Sequence, residues 1–200
     1  MTDTYVYELD GNLYINLTNK CSNRCEFCVR EGKTSYYGHK LWLKCEPTAS
    51  QVVDLIDGKV CKEVVFCGFG EPTYKFDEMI EIAKALKEKG YFIRLNTNGH
   101  GNLINGKDIT EQMQGLFDSV NVSLNAPDLE SYGKVCHPIF KNAFKEMVNF
   151  AVKCKKRGIN VNFSIVDCIG SDAIKRCQTL ADGVGVRLKI REMIEDSDAT

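Results

Sequence analysis

No apolar run in this 200-residue chain comes near the ~20 residues that a membrane-spanning helix needs. A membrane protein of that kind is not expected. Charge of one sign is also missing: 26 Lys and Arg stand against 27 Asp and Glu, a net charge of −1. That balance gives no electrostatic footprint for nucleic acid, though it leaves room for a nucleic-acid substrate held by a local patch. No secretory leader is recognisable, so the expected setting is the cytoplasm, where disulfides are rare. Histidine is scarce. His39, His100 and His137 fall in expected loops, and none has a sequence neighbour that marks it as an acid or base. Hydrophobic residues at 44% exclude a disordered chain. The length suits one domain that buries roughly 70% of its unfolded surface. We take residues 1–193 as that domain and 194–200 as an acidic tail that frays.

Cysteine, in contrast, is plentiful, with ten in the chain. Three lie together in Cys21-Ser-Asn-Arg-Cys25-Glu-Phe-Cys28, directly after an apolar run that reads as a first strand. Structural zinc usually takes four protein ligands, and an iron–sulfur cube commonly takes four thiolates. Three thiols in one loop therefore suggest a cluster with one iron left open. A zinc knuckle completed by His39 or Cys45 is the alternative reading of the same residues. The other seven cysteines are scattered with no second Cys-x2-Cys pattern, so an auxiliary cluster is not expected and most read as small core hydrophobes. Cys67, Cys136 and Cys168 lie near expected strand ends, where one could face a substrate.

Strands are expected at residues 13–18, 63–67, 91–96, 119–125, 160–166 and 186–191. Helices are expected at 47–57, 76–89, 107–116, 140–157 and 172–182, from apolar residues at helical spacing and closing glycines. Residues 36–44 read as a loop or a short extra element. Strands alternating with helices imply parallel pairing. Six such units fit this length, whereas a closed eight-fold barrel takes about 250 residues. The expected fold is an α/β protein: an open, partial (βα)6 TIM-like barrel. A flat doubly wound sheet is the runner-up.

The strand faces favour the barrel. Val120, Val122 and Leu124 alternate with Asn121, Ser123 and Asn125; Val161, Phe163 and Ile165 alternate with Asn160, Asn162 and Ser164. Ile93 and Leu95 alternate with Arg94 and Asn96, and Leu188 and Ile190 with Arg187, Lys189 and Arg191. Side chains alternate faces along a strand, so each strand keeps one polar face. A doubly wound sheet covers both faces with helices and wants both apolar. The polar faces are expected to line a wet, concave interior.

The spacing Cys-x3-Cys-x2-Cys, with Phe27 before the last cysteine, resembles the signature of the radical S-adenosylmethionine (SAM) superfamily. The wording from Leu13 through Glu31, and from Leu41 to Pro47, resembles the subgroup of TatD-associated radical SAM proteins. The resemblance implies that Cys21, Cys25 and Cys28 hold a [4Fe–4S] cluster whose open iron binds SAM. Reductive cleavage of SAM would then yield a 5′-deoxyadenosyl radical that abstracts hydrogen from a substrate. It also implies the same barrel fold and an electron donor of the flavodoxin or ferredoxin type. Gly68-Phe-Gly-Glu-Pro-Thr73, after the second expected strand, is by itself a weak signal for a turn. Beside the cysteines it resembles the family's Gly-Gly-Glu motif, which implies that Gly68, Gly70 and Glu71 bind the SAM amino group, with Phe69 replacing one glycine.

Further positions are read from the residues themselves, and the resemblance supports the first of these readings. Ser123 and Asn125 would bind the SAM ribose, Phe27 would pack against adenine or the cluster, and Asn96 and Asn98 would contact SAM or substrate. Arg191 would hold the SAM carboxylate or an acidic substrate group. No catalytic acid or base is legible. The substrate is expected to be a small molecule, or a large partner that caps the open side. An enzyme that activates a glycyl-radical partner protein is the alternative within this chemistry; a zinc-binding adaptor is the alternative outside it. The run Lys153, Lys155, Lys156, Arg157 ends a helix, where basic side chains oppose the helix dipole favourably, and it reads as a solvated face.

Overall fold

The computed structural model describes residues 3–193; the expected acidic tail lies outside them. Seven strands form one sheet in the order of the chain, β1 to β7. They are β1 (Val6–Leu9), β2 (Asn12–Ile15), β3 (Val64–Phe66), β4 (Ile93–Thr97), β5 (Ser119–Ser123), β6 (Asn160–Val166) and β7 (Arg187–Arg191). From β2 onward every pair is parallel. This sequential order decides between the two expected folds, because a doubly wound sheet reverses its strand order at a switch point. No ladder joins β7 back to β1, so the barrel is open.

One strand was not expected. β1 pairs antiparallel with β2 through a tight turn at Asp10-Gly11, both at positive φ (53° and 75°). It lines the edge of β2 and lends Tyr7 to the inner face.

The connecting helices are α1 (Ala49–Ile56), α2 (Phe76–Glu88), α3 (Gly101–Asn105), α4 (Thr110–Met113), α5 (Leu129–Cys136), α6 (Ala143–Lys156) and α7 (Ser171–Val184). Thr48 starts α1 with a capping box closed by Gln51, which fixes the entry that the Pro47-Thr-Ala-Ser-Gln wording promised. The helix expected at 107–116 is shortened to α4, and α3, which was not expected, precedes it with Gly106 left-handed between them. Helix α5 went unforeseen. Its start was nonetheless legible: Asp128 accepts the Ser131 amide at 2.8 Å, an ordinary N-cap.

The core lies between the sheet and the helices. Val64, Phe66, Ile93, Leu95, Val120, Val122, Phe163 and Ile165 meet Met79, Ile82, Leu86, Met147 and Phe150, all essentially buried. The basic end of α6 is tied down as well as solvated. Lys155 donates to Val184 O and Gly185 O, while Arg157 and Lys153 hold Asp108 and Glu111. No helix among the described residues is long and apolar enough to cross a membrane.

The opposite face is polar, as the alternation required. Asn96, Asn121 and Asn162 are register partners on three adjacent strands and form a side-chain ladder. Asn162 Nδ2 donates to Asn121 Oδ1 and Asn121 Nδ2 to Asn96 Oδ1, each at 3.1 Å. Arg94 Nη1 joins it at Asn96 Oδ1, 2.8 Å.

Candidate functional site

The cysteine loop leaves β2 at the carboxyl end of the parallel strands, where α/β sheets gather ligands. Cys21, Cys25 and Cys28 are each half-buried, and all ten cysteines are free thiols. Cys28 N bonds to Cys25 O at 3.1 Å and Glu31 N to Cys28 O at 3.0 Å, so the last two cysteines sit in consecutive turns. Helix α5 anchors the front of the loop. Arg24 N and Glu26 N donate to Cys136 O and Val135 O, both at 3.0 Å. A helix end leaves such carbonyls without intrahelical partners, and the cysteine loop supplies them.

Further contacts brace the loop. Asn98 Nδ2 donates to Ser22 Oγ at 2.9 Å and lies 3.8 Å from Cys21 Sγ. His100 is fully buried, with Nδ1 2.9 Å from Ser22 Oγ and Nε2 3.1 Å from the Tyr132 hydroxyl. Asn23 Nδ2 donates to that same hydroxyl at 3.0 Å. Burial pulls the His100 imidazole down to about 4, so it stays neutral at pH 7. It is a structural clasp between the loop and α5, which explains why no acid or base partner was legible for it.

Glu71 is also buried. Its Oε1 accepts from Thr73 N, Thr73 Oγ1 and Thr97 Oγ1 at 3.2, 2.8 and 2.7 Å. Among the described residues its Oε2 accepts only Asn98 N, at 2.7 Å, and a carboxylate oxygen has capacity for a second donor. Burial pushes the Glu71 carboxyl up, against the pull of those donors. Gly70 is packed backbone to backbone: a Cβ there would lie 2.2 Å from Thr18 O and 2.7 Å from Lys20 O. At Gly68 a Cβ would meet Asn16 Oδ1 at 2.1 Å. These glycines let the loop after β3 lie flat against the start of the cysteine loop. Phe69 between them turns into a small cluster with Tyr7 and Leu41.

The 41–47 stretch is folded onto the cysteine loop. Asn16 Nδ2 and Asn19 Nδ2 donate to Leu41 O and Leu43 O, each at 2.8 Å. Arg30 donates to Asn19 O and Phe69 O at 2.8 and 3.2 Å and stacks on Trp42 at 5.8 Å. Of the candidate residues on later strands, Ser123 is half-buried beside its register partner Ser164. Asn125 turns the chain after β5 in the left-handed region, φ 57°. Its Oδ1 is buried without a hydrogen-bond partner. Asn125 and Phe27 line one cavity of about 450 Å³ with Ala126, Ser131, Cys168 and Ile169. Cys168 and Ile169 enter through a short 3-10 turn after β6 that the sequence did not announce. Arg191 is exposed at the end of β7, on the far side of the interior from the cysteines' strand. Asn96 belongs to the asparagine ladder.

The donor set fits a cluster. Burial pushes the Cys21 thiol up to about 11 and raises that of Cys28, with the Arg30 charge pulling the other way. Such thiols stay protonated until a metal takes the proton's place. No group of three or more His, Cys, Asp and Glu side chains among the described residues is gathered to hold a single ion. Sulfurs that share a cube need not converge on a point, since each binds its own iron. Cys25 has a neighbour that sequence spacing hid. Its thiol is raised first by a hydrogen bond with Cys136 and then by burial. Cys136 is fully buried, with Asn125 Nδ2 3.8 Å from its sulfur.

Comparison with known proteins gives a consistent result. The family described as Radical SAM superfamily matches residues 15–171. A "Probable GTP 3',8-cyclase" from Methanococcus maripaludis strain C6 is 26% identical over 202 residues, covering 97% of this chain and 62% of its own length. A protein of the same name from Methanosarcina acetivorans is 31% identical over 144 residues, covering 68% of this chain and 39% of its own. Streptococcus suis SuiB, solved with S-adenosylmethionine bound, superposes with a TM-score of 0.71 at 15% identity, over 95% of this chain and 42% of that one. At that identity the likeness is one of fold. The chain spans less than two thirds of the length of each of these relatives.

Proposed function

The chain belongs to the radical SAM superfamily, whose members use a [4Fe–4S] cluster and SAM, and from that premise we propose that it is the catalytic core of a radical SAM enzyme. Cys21, Cys25 and Cys28 hold the cluster. When bound, the cluster supplies the electron that splits SAM reductively and so starts hydrogen abstraction from a substrate. One observation carries the reading: Asn98 bonds to the cysteine loop through its side chain and to Glu71 through its backbone. The three loops that follow β2, β3 and β4 are thereby one hydrogen-bonded unit.

The residues then have separable tasks. Gly68 and Gly70 bring backbone close to the cysteine loop, and the spare capacity of Glu71 Oε2 accepts the SAM ammonium, a charge-assisted bond in a sheltered place. Phe27 and Asn125 border the cavity that takes the nucleoside part, where the unpartnered Asn125 Oδ1 accepts a ribose hydroxyl, and Ser123 at the end of β5 is the second candidate for that contact. Arg191, exposed at the end of β7, is left to hold an acidic group of the substrate. The asparagine-lined interior receives the substrate. A reduced flavodoxin or ferredoxin serves as electron donor, and the cytoplasm supplies that partner. The wording at 13–31 and 41–47, two stretches that fold on each other here, supports a place near the TatD-associated subgroup.

Anaerobic reconstitution with iron and sulfide tests the reading. Expected are a [4Fe–4S] spectrum and 5′-deoxyadenosine release from SAM on reduction. Uptake of zinc with no sulfide requirement would overturn it in favour of an adaptor module. Incubation with cell extract then separates substrates: consumption of a small molecule supports the main reading, and a radical appearing on a polypeptide supports the activating-enzyme alternative.

A further inference from the structure

The inner face of the sheet carries unbalanced charge. Strands β2 to β7 contain no acidic residue. Glu63, just before β3, brings a carboxylate to this face, and Arg94 occupies both its oxygens at 2.7 and 3.0 Å. Strand β7 then adds Arg187, Lys189 and Arg191. Their register partners are Asn162, Ser164 and Val166 of β6, so they share the face of the asparagine ladder. Lys189 Nζ reaches across β6 to Asn121 Oδ1 at 3.4 Å. None of the three makes an ion pair with another described residue.

These cations act on one another and on the interior. Burial, then the charges of Arg94 and Arg187, hold the Lys189 ammonium below its ordinary value. The Arg191 charge is felt at Cys67 and at Tyr36, which stand across the interior from β7. Alternate residues on a strand face lie ~7 Å apart, so the three cations span an extended anion better than a single carboxylate.

We propose that the barrel interior binds an anionic small-molecule substrate, its phosphate or carboxylate groups held by Arg187, Lys189 and Arg191 against the wall of Asn96, Asn121 and Asn162. The proposal rests on the reading of this interior as the substrate chamber. The rival explanation is that inward charges on β7 only guard an open sheet edge against pairing with another chain, and it predicts no anion affinity.

The test is calorimetric titration of reconstituted, SAM-loaded protein with pyrophosphate and, separately, with tricarballylate. Binding of either anion is expected, weakening as salt rises and falling about tenfold in Lys189→Gln and again in Lys189→Gln/Arg191→Gln. Lys189→Arg should recover most of the affinity. The arm that binds tells phosphate from carboxylate. Absence of binding by both anions, or equal affinity in the wild type and the double variant, would overturn the proposal. Cluster absorbance and SAM binding are read on the same wild-type sample, so failure of the radical SAM reading shows separately from failure of the anion site.

Discussion

The backbone amide of Asn98 donates to Oε2 of Glu71 at 2.7 Å, tying the loop after β4 to the loop after β3. Glu71 also satisfies the amide and hydroxyl of Thr73 and the hydroxyl of Thr97. All four residues are buried. Truncation in Glu71→Ala strands those donors, at ~1–3 kcal/mol for each that finds no water. We expect the variant to lose about 3 kcal/mol or more of unfolding free energy by urea titration, together with SAM affinity. A loss below ~1 kcal/mol would show that the carboxylate is not the tie between these loops.

His100 gives a pH dependence whose sign follows from its surroundings. Burial lowers its pKa from 6.5 to about 4, so the unfolded chain takes up the proton first. The stability it contributes is complete above pH 6.5 and is lost as pH falls toward 4. The window is worth about 3 kcal/mol. Wild type and His100→Gln should therefore converge in stability as pH drops from 7 to 4.5, measured by urea unfolding at several pH values. Parallel curves would mean that His100 is protonated, or free, in the folded protein.

The fold was legible because strand alternation is a backbone property. Asn121 and Val122 must point to opposite faces whatever packs around them, and β6 falls on the expected residues. The cysteine loop was legible because one local motif carries it. What escaped depends on contacts between distant segments. Cys136 lies 111 residues beyond Cys25, and nothing in spacing predicts that α5 delivers its thiol there. His100 had no visible partner because Ser22 and Tyr132 are remote in sequence. The antiparallel β1 was missed because four residues with a charged Glu8 give too short an alternation to weigh.

Gly70 and Gly106 make a controlled pair. A methyl group at Gly70 meets two backbone carbonyls, Thr18 O and Lys20 O, that cannot yield alone. At Gly106 nothing lies within 4 Å, and only the left-handed φ of 63° opposes a side chain. Gly106→Ala should cost about 1 kcal/mol. Gly70→Ala should cost more than ~3 kcal/mol and abolish cluster loading, read from thermal unfolding and iron content. Similar costs for the two would mean that the loop after β3 does not lie against the cysteine loop.

Cys136 offers the sharpest test of the three-thiol site. Its thiol is the leading cause that raises that of Cys25, so a fourth thiol stands close enough to be mistaken for a fourth ligand. Chemistry separates the two roles. A ligand must leave its proton and face the cluster, whereas Cys136 is fully buried, with Asn125 Nδ2 3.8 Å from its sulfur. As a buried neighbour it packs beside a ligand sulfur, to which its S–H would donate once that sulfur is a thiolate, and such bonds tune cluster potential. Cys136→Ala should then keep its full iron and sulfide content, lose about 1 kcal/mol of stability to the small cavity, and shift the cluster to lower potential by spectroelectrochemistry. Cys25→Ala should lose the cluster even with Cys136 intact. Should Cys136→Ala instead fail to assemble iron and sulfide while remaining folded, the cluster has four protein thiolates. No iron is then open to SAM, and the radical mechanism cannot start.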